Sequence, residues 1–133
     1  MWNFYKFKNN VALIDDKEKV SYKDLINYSS KIVKKLRKKS LTVMLADNSI
    51  GSFVCYISLV KKRFPILILD HKISKKLLEN ILDLYKPENI CLPLKNSFFK
   101  NSNKFNFFFK FKKIKFLKNF NKDSFQVKNN LSI

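Results

Sequence analysis

The side chains able to carry chemistry in this chain are few. Asp47 and Asp70 each follow a short apolar run, residues 42–46 and 65–69. If those runs are parallel strands, both carboxylates stand at strand carboxyl ends, where open α/β sheets place ligands. A phosphoacceptor or magnesium site of that kind needs paired acids early in the chain and a strand-end Thr and Lys. The only early acidic pair, Asp15 and Asp16, sits in a charged turn. Strand-end and helix-capping carboxylates are the plainer reading. Cys55 lies inside the apolar run 53–60 and Cys91 follows Ile90, so both read as buried small hydrophobes. Cys55 as a nucleophile needs a base. The single histidine, His71, reads as a loop residue after Asp70. Two isolated cysteines and one histidine form no metal spacing. These residues supply no catalytic, cofactor-binding or metal-ligating assignment.

Composition removes further classes. The chain has 133 residues with 28 Lys and Arg against 10 Asp and Glu, giving +18, and it has one glycine, Gly51. An average chain of this length carries roughly nine glycines. One glycine cannot build a G-x-G-x-x-G turn or a G-x-x-x-x-G-K phosphate cradle, which need several positions of φ > 0 and close backbone approach. The basic charge needs discounting. Lys, Asn, Phe and Ile make up half of the chain, the amino acids of A- and T-rich codons. Lys outnumbers Arg 26 to 2, although Arg has the planar fork suited to guanine and phosphate. The start has no apolar core of a secretory signal. No apolar stretch approaches the roughly 20 residues of a membrane span. A cytoplasmic setting is the expectation.

The elements that must position these groups fall into two stretches. Residues 1–94 carry regular apolar patterning and mixed charge; residues 95–133 hold 10 basic residues, only Asp123 as an acid, and 10 of the 14 phenylalanines. The first stretch opens with Val11–Ile14, a charged turn and an extended Lys19–Ser21, which predict a small hairpin. Ser21 with Asp24 three residues on predicts a capping box. Leu25, Ile26, Ser29, Ile32, Val33 and Leu36 follow at helical spacing, with cations over residues 34–39 at the end of the helix. Thr42–Ala46 predicts a strand covered on both faces, with Asp47 or Asn48 capping a helix from Ser49 to about Lys62. That helix is expected to bury Ile50, Phe53, Val54, Ile57 and Val60. Residues 65–69 predict a second fully apolar strand. Ser74 is expected to cap a third helix burying Leu77, Leu78, Ile81, Leu82 and Tyr85 and stopping before Pro87. Residues 89–92 predict a third strand. The class is α/β: a β-hairpin, then βαβαβ forming a parallel sheet with flanking helices and right-handed crossovers. A basic, Phe-rich tail with possible extra strands follows.

At the level of motifs, residues 10–94 resemble the amino-terminal end of the adenylate-forming (AMP-binding) superfamily, which includes acyl-CoA synthetases, luciferases and peptide synthetase adenylation domains. Val11, Ala12, Leu13, Ile14 and Asp15, followed by Val20, Ser21, Tyr22, Lys23, Asp24 and Leu25, are similar to the family's "A-L-I/V-D" strand and "S/T-Y-x-E/D-L" helix start. Residues 42–49 resemble "x-V-A-L-L-x-x-N-S", and residues 59–70 resemble "L-K-A-G-x-x-x-V-P-L-D". Lys62 and Arg63 stand where the family usually has Ala-Gly, the glycine that lets the helix end tightly. The resemblance implies an AMP-dependent synthetase/ligase: a carboxylate and ATP give an acyl-adenylate, with transfer to a thiol following. In a full-length relative, ATP and magnesium are held by a Ser/Thr/Gly-rich loop, an adenine-binding aromatic segment, a Thr-Glu pair and a late Asp and Lys. None of these lies in the matched region, and one glycine and one threonine, Thr42, leave no place for the loop. Residues 129–133 resemble the strand that leads into it. The expectation is a truncated or split amino-terminal part of such an enzyme, inactive alone and partnered by a separately encoded carboxy-terminal part. Apolar area would then lie exposed where the missing half packs.

The tail leaves an alternative. Residues 105–117 interleave phenylalanines and lysines, a pattern used in stacking on single-stranded nucleic acid or lying on an anionic membrane. The same residues read as two strands, Phe105–Phe111 and 114–117, with lysines on the wet face. A small basic α/β binding module is thus the second reading.

Overall fold

The computed structural model describes residues 4–36, 39–100 and 102–119. A 3-10 turn, Phe4–Phe7, leads into β1 (Val11–Ile14) and β2 (Lys19–Ser21), an antiparallel pair. The Asp15 carboxylate closes the turn between them by accepting the N–H groups of Lys17 at 2.7 Å and Glu18 at 2.8 Å. Those two bonds hold its carboxyl below the ordinary value. Helix α1 (Tyr22–Leu36) begins at the expected capping box. Asp24 N–H donates to Ser21 Oγ at 3.1 Å, and Ser21 N–H donates to Asp24 Oδ2 at 3.3 Å. Its buried stripe is Leu25, Ser29, Ile32 and Leu36.

The rest of the chain builds one sheet: β3 (Thr42–Ala46), α2 (Ile50–Lys61), β4 (Ile66–Asp70), α3 (Lys75–Tyr85), β5 (Asn89–Pro93), β6 (Phe105–Phe111) and β7 (Ile114–Asn119). The strand order is β4-β3-β5-β7-β6. β3 is parallel to both β4 and β5, while β7 is antiparallel to β5 and to β6. The fold is therefore α/β, but the sheet is mixed rather than parallel throughout. β5 and β6 therefore run in the same direction, joined by residues 94–104, whose described residues hold no helix; the two-residue turn Lys112, Lys113 then reverses the chain, so that β7 lies antiparallel between them. Residues 105–119 thus extend the same sheet as residues 42–93. The sequence of residues 129–133, read as a strand, lies outside the described residues, as do Arg37 and Lys38.

The two faces of the sheet carry separate cores. On one, Met44, Cys91, Ile114 and Phe116 pack with Leu25, Ile32 and Leu36 of α1 and Val54, Cys55 and Leu59 of α2. On the other, Val43, Leu45, Ile90, Leu92 and Leu117 pack with Leu78 and Leu82 of α3 and with Phe105. Opposite placement of α2 and α3 follows from the strand order, because the chain steps from β3 to β4 in one direction and returns past β3 to β5 in the other.

Three packing expectations need correction. Helix α2 buries Ile50, Gly51, Ser52, Val54, Cys55, Ser58 and Leu59, whereas Phe53 is 49% exposed and Val60 half-buried. An almost entirely apolar helix has no periodicity to select a face, so the close fit of its small residues decides. Ser58 bonds Ser29 of α1 at 2.9 Å across that contact. In α3, Leu78 and Leu82 are buried, Ile81 is half-buried, and Leu77 and Tyr85 are exposed. β4 is an edge strand, so its apolar residues are only partly covered.

Helix α2 ends in a Schellman motif. Phe64 N–H donates to the Leu59 carbonyl at 2.9 Å and Arg63 N–H to the Val60 carbonyl at 3.0 Å. Arg63 sits at φ 61°, the left-handed conformation. Among the described residues, no helix is long and apolar enough to cross a membrane.

Candidate functional site

The strand order reverses between β3 and β5, and their carboxyl ends leave a crevice of the kind in which open α/β sheets bind ligands. A cleft of about 540 Å³ opens there, lined by Asp47, Ser49, Pro93, Leu94, Lys95 and Lys113. A neighbouring hollow of about 410 Å³ shares Ser49 and Lys113 and adds Asp15, Glu18, Gly51 and Lys112.

Each wall follows from local rules. Asp47 ends β3 and braces the entry to α2. Its Oδ1 accepts Ser49 N–H at 3.0 Å and the Ser49 hydroxyl, and its own N–H donates to Ser52 Oγ at 3.3 Å. Ser49, rather than Asp47 or Asn48, is the N-cap: its Oγ accepts Ser52 N–H at 3.1 Å. Lys95 follows β5 within a turn. Lys112 and Lys113 arrive from the β6–β7 turn, which can come close because Gly51 has no side chain. A Cβ on Gly51 would stand 3.1 Å from Ile114 Cγ1 and 3.5 Å from Lys112 Cβ. Lys112 reaches Glu18 at 2.8 Å, and that bond holds its ammonium above the ordinary lysine value. Among the described residues, the ammonium groups of Lys95 and Lys113 meet no acceptor. The cleft has charges with which to hold a polar or anionic group; its one hydroxyl beside a carboxylate, Ser49 on Asp47, serves to cap α2.

The other sequence candidates lie apart from it. Asp70 is spent on its own turn, accepting Lys72 N–H at 2.8 Å, with His71 Nδ1 3.4 Å away. His71 is a turn residue whose ring nitrogen lies 3.2 Å from the Ala46 carbonyl. Cys55 and Cys91 are both fully buried between α2 and the sheet. Burial, and then the adjacent Cys55 thiol, push the Cys91 thiol well up, opposite to what a nucleophile needs. Thr42 is buried at the amino end of β3, its hydroxyl without a partner. Asp47 and Asp70 serve as turn acceptors, and among the described residues no three His, Cys, Asp or Glu side chains converge. In the tail, Phe109 stacks on Phe116 at 4.4 Å and Phe108 lies under Lys118 at 4.9 Å. Those rings are engaged with the sheet and its lysine.

Sequence reasoning missed Lys95, Lys112 and Lys113. The position of Lys95 just past a strand's carboxyl end was a usable signal. Nothing local to Lys112 and Lys113 indicates that their turn folds back beside Ser49. Comparison with protein-family models, with curated proteins and with solved structures gives no match.

Proposed function

We propose that this chain is an amino-terminal α/β part of an AMP-dependent synthetase/ligase of the adenylate-forming type, a scaffold that needs groups supplied by a partner polypeptide. The observation that carries the reading is Arg63. The motif resemblance aligns it with a family glycine, and it occupies the left-handed conformation for which that glycine is suited. The order of hairpin, capped helix, βαβαβ agrees with the same resemblance. Two reduced, buried cysteines suit a cytoplasmic setting.

In this reading ATP and magnesium are bound by the partner's residues. Stabilising charge on the transferring phosphates is the core of that chemistry, and the one glycine here cannot shape a phosphate loop. The test is ATP–pyrophosphate exchange over a panel of carboxylic acids. This chain is assayed alone and together with the polypeptide encoded directly 3′ of its reading frame. Background exchange alone and carboxylate-dependent exchange from the pair are expected. ATP binding by the isolated chain at ordinary cellular affinity would overturn the proposal. So would tight, structure-selective RNA binding that weakens steeply with salt, which belongs to the basic-module reading.

A further inference from the structure

We propose that two copies of this chain join through the β4 edge, antiparallel about a two-fold axis at Ile68, to form one continuous ten-stranded sheet. The inference stands independently of the enzymatic reading. Only one side of the β4 backbone is used by β3. Thr42 N–H donates to the Pro65 carbonyl at 3.1 Å, and His71 N–H donates to the Ala46 carbonyl at 3.2 Å. Peptide groups alternate sides along a strand, so residues 65, 67, 69 and 71 turn toward β3. Ile66 and Ile68 therefore turn both their N–H and C=O groups outward, and Asp70 its N–H, while the Asp70 carbonyl accepts Ile73 N–H at 3.0 Å in the following turn. Centred on Ile68, an antiparallel pairing sets Ile68 against Ile68 of the second copy and Ile66 against its Asp70, and the reverse. The Ile68 pair then exchanges two hydrogen bonds, and each Ile66 carbonyl can accept the Asp70 N–H of the other copy.

The side chains are self-complementary in the same arrangement. Ile68 is in register with Met44, so it projects on the α2 face. There a hollow of about 290 Å³ is lined by Met44, Phe53, Tyr56 and Ile68 among others. Phe53, Tyr56 and Ile68 are 49%, 37% and 48% exposed, and the two-fold brings the same three from each copy together. Within β4 no like charges meet, because the strand's one charged side chain, Asp70, comes opposite Ile66 of the other copy. Repulsion between two chains of +18 is screened beyond about 8 Å at physiological salt.

The two edges of the sheet are treated differently. β6 has a bulge between Phe107 and Phe109, and carries Lys110 in the strand and Lys104 beside it. Those are devices that blunt an edge. β4 pairs without a bulge and has no charge before Asp70. It is the edge left open for pairing.

The full chain is examined by sedimentation velocity and light scattering across a concentration series in about 0.15 M salt. A concentration-dependent dimer is expected. Ile68→Lys should weaken it by about 100-fold, through lost apolar contact from both copies. Ile68→Pro, which removes an outward N–H not used by β3, should act the same way and is tolerated at an edge. Phe107→Lys on β6 should leave the dimer intact, and circular dichroism checks that each variant is folded. Amide exchange at Ile68 and Asp70 should slow as concentration rises. A monomer at every concentration, or a dimer that survives both Ile68 changes and is lost with Phe107→Lys, would overturn the proposal.

Discussion

At the scale of single residues, three non-glycine positions among the described residues sit at positive φ: Arg63 at 61°, Lys86 at 47° and Lys112 at 52°. The left-handed region crowds Cβ against the following carbonyl at a cost of roughly 1–2 kcal/mol. In a chain with one glycine, side chains take conformations that glycine takes elsewhere. Arg63 closes the Schellman turn of α2, and its side chain is exposed. Arg63→Gly is therefore expected to raise stability by about 1 kcal/mol, read as a higher urea midpoint at unchanged slope. Arg63→Val should lower it, since a β-branched residue is least suited to φ > 0. The sequence placed the end of this helix at about Lys62 but left the turn at Arg63 open, because nothing in an exposed, charged side chain signals a left-handed conformation.

At the scale of elements, the helices differ in how far the sequence fixes their burial. Helix α1 has polar residues on its wet face, and of the stripe read from spacing Leu25, Ser29, Ile32 and Leu36 are buried while Ile26 and Val33 flank it half-buried. Helix α2 is apolar nearly all round, and its orientation is set by Gly51 against the β6–β7 turn and Ser58 against Ser29. Enlarging the glycine tests that account. Gly51→Leu must push a side chain into Ile114 and Lys112, and should cost about 1–3 kcal/mol by overpacking. For Gly51→Ala, the 3.1 Å contact to Ile114 opposes a gain in helix propensity of about 1 kcal/mol. Its stability should therefore stay within about 1 kcal/mol of the parent. Thermal melts of the two variants separate crowding from a general effect of replacing glycine.

At the scale of the whole molecule, the last two strands are tied to the first hairpin. Lys112 of the β6–β7 turn bonds Glu18 beside β2 and lies 5.1 Å over the Tyr28 ring of α1, which meets Phe111 edge-on at 5.0 Å. Glu18 raises the Lys112 ammonium above its ordinary 10.5. A raised folded-state value means that the contribution is fully present below 10.5 and is lost as pH climbs through the raised value. Both partners are partly exposed, so a double-mutant cycle on Lys112→Met and Glu18→Gln should give a coupling of about 0.5–1 kcal/mol at neutral pH. The coupling should shrink with added salt and vanish in strong alkali. A coupling of zero at neutral pH and low salt would mean that the pair does not join the two ends of the chain.

The α/β class, the hairpin, the capping box at Ser21 and Asp24, the stop before Pro87 and the interior strand β3 were settled by the amino-acid sequence. All rest on interactions within a few residues or on the apolarity of one segment. The mixed sheet, the exposed edge at β4 and the lysine-lined cleft were decided only by tertiary structure. The phenylalanines of β6 show why. Strict alternation would put Phe105, Phe107, Phe109 and Phe111 on one face. The bulge between Phe107 and Phe109 sends Phe105 to the α3-side core and Phe109 onto Phe116 in the other. A one-residue irregularity reverses every side chain beyond it, and its position is set by strands paired across the fold rather than by the neighbouring sequence.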